Sequence, residues 1–67
     1  MKPGTIFNAI RKSTGLPVMV RKNGKKVLGR FEVVQLISII GDTEWYEATM
    51  AGRTYYLFTK YFEFYEV

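Results

Sequence analysis

The dipeptide Asn23-Gly24 restricts this chain more than any other feature. It separates residues 18–22 from residues 25–31, and Asn followed by Gly tolerates the two positive φ values of a type I′ turn, whose twist suits a two-residue β-hairpin. Pairing Lys22 with Lys25 then sets the register: Val20 faces Val27 and Met19 faces Leu28. Arg21 and Lys26 lie just behind the tip. Four like charges at one hairpin end repel each other, which suits either a solvated loop or an anion site.

A second hairpin is expected at residues 45–50 and 53–58, turning at Ala51-Gly52. Setting Met50 opposite Arg53 places Ala48 beside Tyr55, with Tyr46 and Leu57 on the same face. A small residue facing a large ring packs well, so this is the expected core face. Trp45, Glu47, Thr49, Thr54, Tyr56 and Phe58 take the other. Between the hairpins, residues 33–40 form a long apolar run that stops at Gly41, Asp42, Thr43 and Glu44. The run reads as a central strand buried on most of both sides. Residues 59–61 read as a turn and 62–67 as a closing strand with an open edge. That edge would suit a weak homodimer, with the monomer favoured by the edge charges Glu63 and Glu66.

Residues 5–14 place apolar groups at 6, 7 and 10, with Thr5 in front and Gly15 behind. The spacing favours a short capped helix, although Thr, Ile and Phe also suit an extended segment. The expected fold class is therefore mainly β: a small antiparallel barrel of five to six strands over residues 18–67, with residues 1–17 packed on it as a short helix or extended segment.

A chain of 67 residues has room for one domain, and a content of 48% hydrophobic and 24% charged residues is that of a folding sequence. It contains no Cys and no His. Thiolate and imidazole metal sites, disulfides and Ser-His or Cys-His nucleophiles are thereby excluded. The remaining acid–base candidates, Asp42, Glu44 and Glu47, sit in or near a turn where nothing is expected to bury them and raise their pKa. Asn23-Gly24-Lys25-Lys26 lacks the spacing of a phosphate loop. We expect no catalysis, no cofactor and no metal. The apolar run is broken by Gln35 and Ser38, and no stretch is long enough for a signal h-region or a span, so the expectation is a cytoplasmic protein away from membranes.

Charge is divided unevenly. Residues 1–30 hold eight basic side chains and no acid, +8, while residues 31–67 hold two basic side chains and six acids, −4. Arg21, Lys22, Lys25, Lys26 and Arg30 form a candidate anion-binding group. Glu32, Glu47 or Glu63 would cancel part of its field if the barrel interleaves the two halves. Eleven aromatic residues exceed what so small a barrel hides. Trp45, Tyr56, Phe58 and Tyr61 are the candidates for a surface that recognises peptides, glycans or bases.

Trp45 opening a strand, the turn at Gly52-Arg53, Tyr56-Leu57 in the next strand and Lys60-Tyr61-Phe62 closing the unit follow one another without a gap across residues 43–62. Upstream lie Val18-Met19-Val20-Arg21 and Val27-Leu28-Gly29-Arg30-Phe31. This arrangement resembles the bacterial SH3 domain over about 50 residues. Tyr55 stands where that family usually has Gly, and residues 1–17 have no clear counterpart. The resemblance implies an SH3-like barrel that binds a peptide or protein partner, or cell-wall peptide. The residues themselves also allow a small basic barrel that contacts phosphates and stacks bases.

Overall fold

Both hairpins form in the expected registers. In the computed structural model, which describes residues 1–67, the strands are β1 (Ile6–Arg11), β2 (Val18–Lys22), β3 (Lys25–Gly29), β4 (Phe31–Ile40), β5 (Trp45–Met50), β6 (Arg53–Phe58) and β7 (Phe62–Glu66), with one 3-10 turn at Thr59–Tyr61. Asn23 and Gly24 have φ of 49° and 80°, and Lys22 pairs with Lys25. Ala51 and Gly52 have φ of 53° and 74°, and Met50 pairs with Arg53. The strands form one antiparallel, barrel-like sheet in the order β3-β2-β6-β5-β4-β1-β7, with extents of 26 × 25 × 24 Å.

The N-terminal segment is a strand, not the favoured short helix. β1 runs between β4 and β7, pairing Phe7 with Val34 on one side and with Glu66 on the other. Residues 1–17 are therefore not laid against a finished barrel, and the sheet has seven strands where five to six were expected. Phe7 and Ala9 point inward and are buried, the period-2 pattern of a half-buried strand. The helix reading rested on the spacing of 6, 7 and 10. Ladder bonds on both sides outweigh what a single isolated helical turn offers.

The strand expected to be buried on both sides, β4, is buried on one. It is central, lying between β5 and β1. Phe31, Val34 and Leu36 enter the core, while Val33, Ile37 and Ile40 are exposed. Two irregularities explain the pattern. The register slips opposite Phe7 and Ala9 and again between Leu36 and Ser38, so Val33 and Ile37 are extra residues that bend the strand and restart its alternation. Val33 has φ of 55°, a left-handed conformation unfavourable for a β-branched residue. Its amide, displaced from the ladder, donates to Asn8 Oδ1 at 2.7 Å.

The core holds ten buried residues, none of them polar or charged. Ala48, Tyr55 and Leu57 belong to it, and Tyr46 and Met50 pack against it, as the second hairpin's pairing required. Phe31 stacks edge-on to Tyr55 at 5.2 Å and to Phe62 at 5.7 Å. Its ring lies directly over Gly29, where a Cβ would come within 2.3 Å of Phe31 Cζ. The Gly-x-Phe sequence at the β3–β4 corner thus lets a ring cover backbone.

Candidate functional site

With Ala48, Tyr55 and Leu57 turned inward, strand alternation sends Trp45, Glu47, Tyr56 and Phe58 to the outer face of β5 and β6. Trp45 pairs across the ladder with Phe58, and Tyr56 with Glu47. The Trp45 and Phe58 rings lie 4.9 Å apart at 42°. Phe58 meets Tyr61 edge-on at 5.1 Å. Trp45, Phe58 and Tyr61 thus form a connected run of rings, in which Trp45 and Phe58 are half-buried and Tyr61 is exposed.

The run continues into neighbouring strands that the aromatic pattern alone did not include. Ile40 of β4 sits opposite Trp45, and Arg21 of β2 sits opposite Tyr56. Arg21, Ile40, Trp45 and Tyr56 line one shallow depression of about 340 Å³. Met19 and Leu28, opposite each other on β2 and β3, share the outer face with Arg21 and are 51% and 68% exposed. Pairs of solvent-facing apolar side chains beside a ring cluster enlarge the apolar surface. The hairpin register contained the signal for Met19 and Leu28. Ile40 had none, because its outward position depends on the irregularity at Ile37.

A polar row crosses the same face. Tyr56 Oη donates to Glu47 Oε2 at 2.8 Å, and Ser38 Oγ donates to Glu47 Oε1 at 2.9 Å. Glu47 is half-buried between them, not a freely solvated carboxylate of an acidic turn as expected. The carboxylate that accepts the Tyr56 hydrogen raises the phenol pKa above its usual value, its negative charge adds to the effect, and desolvation adds a little more. The bonds hold the Tyr56 ring in one orientation beside Trp45.

The basic candidates do not act as one group. Arg21 and Lys26 pair opposite each other on the outer face, while Lys22 and Lys25 pair one step further on and point to the other face. Arg21 Nη1 donates to the Gly24 carbonyl at 3.3 Å, closing the tip. Arg30 is separated from them, since it follows β3 at the end away from the turn, about 16 Å from Lys25 by strand rise. It lines a different cleft, together with Arg11. As for the acids that were to offset the tip, Glu47 lies in the Arg21–Tyr56 row, and Glu63 is on β7 at the opposite edge of the sheet from β3.

No group of three or more metal-ligating side chains gathers anywhere in the chain, and no helix is long and apolar enough to cross a membrane. No family model, curated protein or solved structure matches the chain.

Proposed function

We propose that the protein is a non-catalytic binding module with an SH3-like barrel, and that it recognises a peptide or protein partner through the outer face of β5 and β6. The observation that carries this reading is the connected run Trp45, Phe58 and Tyr61, with Tyr56 held beside it by Glu47. The core is filled by Ala48, Tyr55 and Leu57 together with residues of the other strands, so these rings lie outside it. A half-exposed indole offers a broad apolar face and one N–H donor, the properties of an interface anchor. Arg21 at the rim of the depression favours a partner that places a carboxylate next to its apolar side chains. Resemblance to the bacterial SH3 domain agrees with a peptide ligand, cell-wall peptide being one form of it.

A second reading rests on Arg21 and Lys26 beside Tyr56: a strand of nucleic acid could place bases on the rings and phosphates on the cations. Glu47 in the same row opposes it by charge. The two separate in one experiment, because Trp45 is the chain's single tryptophan and reports on this surface alone. Peptides selected on the immobilised protein should shift Trp45 emission, with affinity falling only slightly as salt screens the Arg21 contact. Failure to select any peptide, together with steeply salt-dependent binding of a single-stranded oligonucleotide, would replace this reading with the second.

A further inference from the structure

A second cleft lies where the end of β1, the loop after it, the β3–β4 corner and the start of β7 converge. Its volume is about 320 Å³, at the small end of the range for small-molecule sites, about 300–1,000 Å³. The floor is Ala9, Phe31 and Phe62, all buried. The sides are Ile10, Leu16 and Val33, which are 45%, 54% and 64% exposed. Three large apolar side chains that the core does not use therefore surround one concavity. The loop carrying Leu16 is tied down by Lys12 N donating to Tyr61 O at 3.0 Å and Gly15 N donating to Arg11 O at 3.2 Å.

Polar groups converge on the same place. Arg11 and Arg30 both line the cleft and are exposed. Asn8 also lines it. Its carbonyl oxygen is taken by the Val33 amide, leaving the amide hydrogens as donors. Glu32 is the one acid among the lining residues. Val33, the β-branched residue with positive φ, forms part of the wall. Backbone strain of this kind concentrates at binding sites, where it aims neighbouring groups. Here the irregularity turns Val33 outward and aligns Asn8.

We infer that this cleft binds a small monocarboxylate with an apolar body, the carboxylate held by the Arg11 and Arg30 guanidiniums and the body seated among the exposed side chains of Ile10, Leu16 and Val33. Paired guanidiniums suit a carboxylate because each presents a planar fork of donors. Glu32 limits the ligand to one negative charge by repelling a second. The cleft shares no lining residue with the depression beside Trp45, and its proposed ligand does not depend on the role of the aromatic face.

The test is an amide-resolved NMR titration of the intact chain with three probes: 3-phenylpropionate, its neutral carboxamide and acetate. The first should shift the amides of Ile10, Arg30 and Val33 saturably in the millimolar range, and the other two, lacking charge or body, should bind at least about tenfold more weakly. Arg11→Gln and Arg30→Gln should each weaken 3-phenylpropionate by a similar factor, Glu32→Gln should strengthen it, and Arg53→Gln, a guanidinium that does not line the cleft, should leave it unchanged. Equal titration by acid and carboxamide would overturn the inference. So would shifts centred on Trp45, or no saturable shift with any probe while the spectrum stays that of the folded chain.

Discussion

Replacing Gly29 by Ala tests how tightly the β3–β4 corner is packed. The added methyl would lie 2.3 Å from Phe31 Cζ and 2.9 and 3.0 Å from the Cε atoms, far inside contact distance. Phe31 is 1% exposed, and Tyr55 and Phe62 pack edge-on against its ring, so the ring can yield only by breaking these contacts or by turning into the cleft it lines. Overpacking of this kind costs about 1–3 kcal/mol. Gly29 is not among the glycines with positive φ, so alanine also brings its usual gain of about 0.4–1 kcal/mol from the unfolded chain. The net expectation is a loss of about 1–2 kcal/mol, a large share of the roughly 3–5 kcal/mol available to a domain this small. Phe31→Leu alone should cost a similar amount through lost ring contacts. Combined, the two should cost at least about 1 kcal/mol less than their sum, because the shorter side chain vacates the space the methyl needs. Urea unfolding followed by Trp45 fluorescence measures all four species. A Gly29→Ala variant as stable as the parent, or strict additivity in the double variant, would refute the packing described.

Val33→Asn should raise the thermal midpoint by roughly 4–8 °C, since relieving about 1 kcal/mol of left-handed strain shifts a domain of this size by that much; Asn8→Ala should lower it by removing the partner of the Val33 amide, at about 0.5–1.5 kcal/mol. The Tyr56 hydroxyl is neutral while bonded to Glu47, and its folded pKa lies above the unfolded value of 10.0. The bond's contribution is therefore complete below the unfolded pKa and is lost as pH rises from there through the folded pKa. Titration of phenolate absorbance should show one tyrosine moving back toward the ordinary value in Glu47→Gln. At the sheet edge, Glu63 and Glu66 of β7 guard unpaired backbone, so sedimentation should find the parent chain monomeric at micromolar concentration and a Glu63→Thr, Glu66→Thr variant associating.

Much of the architecture was legible because its signals are local. Asn23-Gly24 and Ala51-Gly52 each determine a register within a few residues, and the match of Ala48 to Tyr55 identifies which face of the second hairpin is inside. That choice left Trp45, Tyr56 and Phe58 outside, and three of the four aromatic candidates join in one connected run with Tyr56 in the adjoining row. What was not legible depends on distant partners. β1 owes its conformation to β7, more than 50 residues away in pairs such as Phe7 with Glu66, and apolar groups at 6, 7 and 10 satisfy a helix as well as a strand. The extra residues Val33 and Ile37 interrupt alternation inside an apolar run that shows no break in composition. Sequence proximity groups Arg30 with Arg21 and Lys26, yet a five-residue strand carries it to the opposite end and into the cleft shared with Arg11.

The most direct test of the proposed aromatic recognition face is to measure stability and partner affinity together for Trp45→Ala. Trp45 is half-buried and stacked on Phe58 alone among the rings, so its loss should cost about 1–2 kcal/mol, compared with roughly 3–5 for a tryptophan buried in a core. Urea unfolding followed by circular dichroism should show a folded, modestly destabilised variant, and a peptide selected on the parent protein should bind it at least about tenfold more weakly. A variant that keeps its fold and its full affinity would contradict the account by placing recognition elsewhere. One that fails to fold would contradict it by making Trp45 part of the core.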